Sequence, residues 1–211
     1  MILLILSISA VIIASYLAGS LPTAYIAGKV LKKIDIRQHG SGNVGATNAL
    51  RVLGTKIGIT VMIIDILKGV FAVMLARMLL QSEWQIVLAG LFAVIGHIFT
   101  CFLGFKGGKG VATAAGVCAA LFPLNFYAVL FVFIIVLILT KYVSLSSILA
   151  ALILFILQSL RLYLSTDLTI ERELTHFVFI LIMVSFIIVK HIPNIKRLIQ
   201  GNENKISFKK K

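Results

Sequence analysis

The sequence predicts an all-α integral membrane protein, a bundle of seven transmembrane helices with the N-terminus outside and the C-terminus cytoplasmic. Three observations carry this reading. The 211-residue chain is 60% hydrophobic and only 13% charged, far from the balance of a soluble domain. Long runs such as Tyr127 to Leu139 and Phe177 to Val189 hold no charged side chain. The basic residues collect in a few segments that an odd number of crossings would place on one face.

A bilayer core of about 30 Å needs roughly 20 apolar residues per helical span. Met1 to Ala18 is apolar and lacks a basic n-region, so it reads as a retained first span rather than a cleaved signal peptide. Apolar segments then place spans near 2–19, 57–79, 85–103, 110–122, 126–140, 145–164 and 174–190. The segments between 110 and 140 are short, since a 13-residue helix covers only about 20 Å. One of them reads as a candidate partial or re-entrant helix, with Pro123 and Asn125 at its turn. Five spans are the alternative count, and they keep the same loops inside.

The charge pattern favours seven. The net charge is +13. The segment Lys29 to Lys56 carries six basic residues, 104–109 carries Lys106 and Lys109, 141 carries Lys141, and Lys190 to Lys211 carries seven, together 16 of the 20. Seven spans put all four segments on one side, and the excess of Lys and Arg marks that side as cytoplasmic. In a soluble chain the same excess would suggest nucleic acid; here membrane topology and an anionic substrate account for it, and no nucleic-acid partner is expected. The chain reads as a single domain over 1–211, with 201–211 a basic tail. Lys209 to Lys211 read as an interfacial segment that binds anionic membrane lipid. Cys101 and Cys118 both lie in apolar context without a ligand cluster around them, so neither a disulfide nor a metal is expected.

Two loops depart from ordinary span connections. Asp35 to Gly54 reads DIRQHGSGNVGATNALRVLG, placing Gly40, Ser41, Gly42, Asn43, Gly45, Thr47 and Asn48 between Arg37 and Arg51. Glycines permit close backbone approach, and consecutive backbone N–H groups can form a nest for an anion. Ser and Asn add donors, and Arg adds a planar fork suited to phosphate. The second loop, Gly104 to Thr113, reads GFKGGKGVAT and contains Lys106, Gly107, Gly108, Lys109 and Gly110. A glycine-rich turn with two lysines at a helix start is a phosphate cradle on physical grounds. It is not a Walker A loop, because Leu103 stands where the first glycine of that pattern belongs.

Other polar residues read less sharply. Asp65 and Lys68, at i and i+3 in MIIDILKG, suit either a structural pair or a site wall. His97 reads as a helix-end hydrogen-bonding group. His191 and Asn194 share a helix face at the cytoplasmic end of the last span, beside an apolar stripe of Ile195, Leu198 and Ile199.

These segments strongly resemble the bacterial acyl-phosphate:glycerol-3-phosphate acyltransferases, the PlsY family. The matching stretches are GSLP at 19–22, the loop at 35–54, DILKG at 65–69, GH at 96–97, FKGGKGVAT at 105–113, KYVSL at 141–145 and HIPNIKRLIQGNE at 191–203. The resemblance implies a seven-helix membrane bundle with a cytoplasmic active site and no metal or other cofactor. Its reaction is acyl transfer from acyl phosphate to the 1-position of glycerol 3-phosphate, giving lysophosphatidic acid. It also implies, as a partner, the soluble enzyme that makes acyl phosphate. By position, Ser41 and Arg51 match the essential serine and arginine, and the glycines with Lys109 match the glycerol-phosphate loop. Ser144 matches a serine lining the site, His191 and Asn194 the polar pair of the last motif, and Glu203 a structural glutamate. Thr100 and the pair Thr23–Ala24 depart from the commoner residues of the family. The acyl-CoA-dependent class uses an H-x-x-x-x-D dyad, and none of the four histidines has Asp five positions on. The competing class is a transporter for an anionic solute, which inverted repeats or helices broken at mid-bilayer would signal. The sequence shows no such repeat.

Overall fold

The computed structural model describes residues 2–206, so the tail lysines Lys209 to Lys211 lie outside the described residues. Among the described residues there are helices and turns but no strand. Two compact units divide at Leu121 and Phe122.

The first unit contains α1 (Ile2–Ser20), α2 (Thr23–Lys32), α3 (Ala46–Leu53), α4 (Thr55–Leu79), α5 (Glu83–Ile98) and α6 (Val111–Leu121). Lipid tails are as apolar as leucine, so helices in a membrane gain little from hydrophobicity alone and use small residues to approach closely. That is how this unit packs. Gly19 of α1 lies on the backbone of α5, where an added Cβ would stand 2.0 Å from Ala93 O, and Gly96 of α5 lies against Tyr16 O in the same way. Gly69 of α4 and Gly116 of α6 make the corresponding contact, against Thr113 O and Ile66 O. Ser82 and Gln85 form a capping box at the start of α5, satisfying end amides that the bilayer boundary would otherwise leave open.

The second unit contains α7 (Pro123–Thr140), α8 (Val143–Tyr163) and α9 (Ile170–Ile199). α7 starts on Pro123, where its missing N–H costs nothing, and stops at Lys141 in the left-handed conformation. α8 packs against both α7 and α9. At one end of α8, Gln158 Nε2 donates to Glu173 O and Oε2, and Arg172 pairs with Glu173.

Six helices are long and apolar enough to cross a membrane, with α6 a shorter apolar one. The expected spans coincide with α1 and α4 to α9, with three differences. The segment expected as a loop from Lys29 to Lys56 contains the end of α2, Lys29 to Lys32, and all of α3. The break near Pro123 is a single residue, Phe122, and Asn125 sits inside the first turn of α7 rather than in a turn. The last span extends through His191 and Asn194 to Ile199, with Pro193 inside it. A proline removes one N–H, and a 30-residue helix retains its other bonds.

Candidate active site

In the first unit, one apolar cluster anchors both donor-rich loops. Ala24, Ile36, Val44, Ala49, Leu53 and Val61 form its core, and Leu103, just before the glycine loop, packs against it. Asp35 opens the first loop by accepting from Arg37 N, Nε and Nη2, the last at 2.7 Å. That fork, with Lys29 Nζ 4.0 Å away, holds the Asp35 carboxyl down at about 2. Arg37 also covers the Tyr25 ring at 5.0 Å.

The turn beyond is organised by Asn48. This buried amide accepts from Ser41 N at 2.8 Å and donates to His39 O and Ile36 O. Gly40 has φ +63°, and a Cβ there would stand 2.3 Å from Asn48 Oδ1. Gly42 N donates to His39 O. The amides of Ser41 and Gly42 are therefore already bonded, while the Ser41 hydroxyl is exposed on the loop surface. Asn43, Thr47 and Arg51 are half-buried.

The glycine loop runs back along the end of α5. Gly107 N donates to Ile98 O and Gly108 N to His97 O, each at 3.0 Å. Neither glycine has a positive φ; Gly104 and Gly110 do. What keeps 107 and 108 as glycine is space: added methyl groups would stand 2.1 Å from His97 O and 2.2 Å from His97 Nε2. Lys106 is exposed, Lys109 half-buried and Gly110 buried. Thr113 is fully buried, with its hydroxyl 3.1 Å from His97 Nδ1.

Two of the positions that depart from the resemblance, Thr100 and Thr23, are hydrogen-bonded here. Thr100 Oγ1 donates to Ser20 O and accepts from Phe102 N, tying α1 to the turn before the glycine loop. Thr23 Oγ1 bonds Asp65 and Lys68.

In the second unit the polar centre is Glu203. Its Oε1 accepts from Ser144 Oγ at 2.9 Å and Asn194 Nδ2 at 2.7 Å, and its Oε2 from Arg197 Nε at 2.7 Å. Ile206 N donates to Lys141 O, closing the C-terminal segment over this cluster. Because Asn194 gives its amide nitrogen to Glu203, its oxygen points the other way as an acceptor. His191 Nδ1 lies 2.8 Å from Ile187 O. A carbonyl only accepts, so Nδ1 carries a proton.

Burial alone would raise the Glu203 carboxyl, but the bonds from Asn194, Arg197 and Ser144 outweigh it and hold the group below the usual glutamate value. A carboxyl lowered in the folded state adds stability above its unfolded pKa, about 4.3, and loses it as pH falls through the folded value. The unfolding temperature of the wild type in detergent is therefore expected to fall more steeply below about pH 4.3 than that of Glu203→Gln. Parallel pH profiles would remove Glu203 from this role.

Sequence reasoning singled out Ser41, both glycine loops and the His191–Asn194 face. It missed that Asn48, Thr113 and Ser144 use their polar groups on the protein, and that His97 lies under the glycine loop. No local pattern marks those contacts. Among the described residues no cluster of potential metal ligands occurs.

The glycerol-3-phosphate acyltransferase family profile matches residues 9–201. Glycerol-3-phosphate acyltransferase 2 of Bacillus anthracis is 50% identical over 195 residues, covering 92% of this chain and 97% of that protein. Glycerol-3-phosphate acyltransferase of Chlorobium chlorochromatii (strain CaD3) is 43% identical over 232 residues, covering 97% of this chain and 99% of that protein. Among solved structures, the glycerol 3-phosphate form of PlsY (YgiH), an integral membrane glycerol 3-phosphate acyltransferase, superposes with a TM-score of 0.85 at 36% identity. That match covers 95% of this chain and 96% of the other. The lysophosphatidic acid form of PlsY gives 0.82 at 35% identity, with the same coverage. With the matched profile, both relatives and both folds running nearly end to end, the chain belongs to the glycerol-3-phosphate acyltransferase family of integral membrane enzymes.

Proposed function

We propose that this protein transfers a fatty acyl group from acyl phosphate to the 1-position of glycerol 3-phosphate, giving lysophosphatidic acid and phosphate on the cytoplasmic face of a bacterial membrane. The observation that carries the reading is the pair of small-residue loops held on one apolar cluster in a chain similar throughout to PlsY. Both substrates are phosphates, and two donor-rich loops suit two anions. The family match spans both compact units, which supports one acyltransferase domain.

The ester C–O bond forms as the glycerol hydroxyl attacks the acyl carbon, and the acyl–phosphate C–O bond breaks. Holding the hydroxyl against that carbon supplies much of the rate. Lys109 and Arg51 neutralise phosphate charge, and the Ser41 hydroxyl and Asn43 donate to the tetrahedral oxyanion. The proton of the glycerol hydroxyl leaves with the phosphate, an adjacent base. Among soluble proteins, the partner is the enzyme that makes acyl phosphate.

The donor is the testable point. Purified protein given labelled glycerol 3-phosphate is expected to form lysophosphatidic acid with acyl phosphate, and little or none with acyl-CoA or acyl carrier protein thioesters. Comparable rates with acyl-CoA would sink the donor assignment.

A further inference from the structure

The first unit buries an ion pair inside membrane-spanning α4. Asp65 is 1% exposed and Lys68 6%. Charges at such depth are costly unless paired, and they mark working parts of membrane proteins more often than filler. Lys68 Nζ donates to Asp65 Oδ1 and Leu21 O, each at 2.6 Å, and to Thr23 Oγ1. Its three protons are thereby used, so it does not serve as a substrate cation. Asp65 Oδ1 also accepts from Thr23 at 2.9 Å and lies 3.9 Å from His97 Nδ1. The same ring nitrogen is 3.1 Å from Thr113 Oγ1 at the start of α6. The opposite edge of the ring faces the glycine loop: Nε2 is where a Cβ on Gly108 would collide, at 2.2 Å. The imidazole is thus wedged between the buried pair and the backbone that precedes Lys109.

We infer that His97, held by Thr113, is a positioning residue that sets the height of the glycine loop and so the placement of its phosphate donors. This rests on reading 104–113 as the cradle for the phosphate of glycerol 3-phosphate. Binding groups need placement within about 0.5 Å, and beyond the amide bonds of Gly107 and Gly108 to the end of α5 a loop of glycines has no side chains of its own to set that height. The ring supplies it from below, and Thr113 fixes the ring.

The test is a cycle at two positions, read by steady-state kinetics in glycerol 3-phosphate. Gly108→Ala pushes its methyl into the ring and is expected to raise KM about tenfold or more, with a smaller change in kcat. His97→Ala removes the support and is expected to raise KM as well. In the double variant the methyl has room, so KM should be no higher than in His97→Ala alone. Contacting residues that act through one another are non-additive in this way. His97→Gln, whose amide can still reach Thr113, should keep more affinity than His97→Ala, and it serves as the second corner if the alanine variant folds poorly. Multiplicative effects on KM would leave the cradle standing and remove His97 from it. An unchanged KM in folded Gly108→Ala would overturn the cradle itself, and the inference with it.

Discussion

Replacing Ser41 with Ala is expected to cut turnover about 10²–10³-fold, the usual cost of losing one transition-state donor. The serine sits among glycines in GSGN, a setting that also suits a nucleophile. A nucleophilic serine needs a base within hydrogen-bond reach, itself oriented by a third group. Among the described residues, the Ser41 side chain makes no such bond; its contact is through its backbone N–H to Asn48. Ser41→Thr should retain part of the activity where the extra methyl is tolerated on this exposed turn. Incubation with acyl phosphate alone should leave the chain unmodified by mass spectrometry. An acyl adduct on the Ser41 peptide, formed as fast as turnover, would overturn direct transfer.

Most of the spans were legible because a bilayer demands long apolar runs, and little else produces them. The helices that escaped notice are those the bilayer does not dictate. α2 has ten residues that continue the apolar texture of α1 past Pro22. α3 has eight, rich in the small polar types that also make loops. Its helicity comes from Ala49 and Leu53 reaching the cluster around Ile36, a tertiary cause. The end of α9 was legible as a helix face through His191 and Asn194, and Pro193 inside it does not break it.

The candidate site divides the same way. Residue types betrayed the loops, since few reasons other than anion binding or close packing gather so many glycines and donors. Which of those reasons applies at each position was not legible. Gly40 makes room for Asn48, whereas Gly107 and Gly108 make room for the end of α5. Glu203 is 59 residues from Ser144 in sequence, and only folding joins them. Short-range pattern reports chemistry that is local, and the contacts that aim it are long-range.

The second large effect is expected at Asn48. Ala there removes one acceptor and two donors at a site 1% exposed. Each lost bond costs about 1 kcal/mol, and more where a partner stays buried. The Ser41 amide and two carbonyls would be released together, so the turn carrying the serine should lose its shape. Activity is expected to fall about as far as in Ser41→Ala, roughly 10²-fold or more, with a lowered unfolding temperature that Ser41→Ala does not share. Asn48→Asp separates the contributions. It keeps the acceptor for Ser41 N but sets a carboxylate, which has no proton to donate, against the carbonyls of Ile36 and His39. It should therefore be as damaging as Ala. A residue that acts by holding Ser41 also has nothing left to do once the hydroxyl is gone, so the Ser41→Ala/Asn48→Ala pair should be little worse than the poorer single. Wild-type turnover in Asn48→Asp, or fully multiplicative losses in the pair, would show that Asn48 does not work through the serine turn.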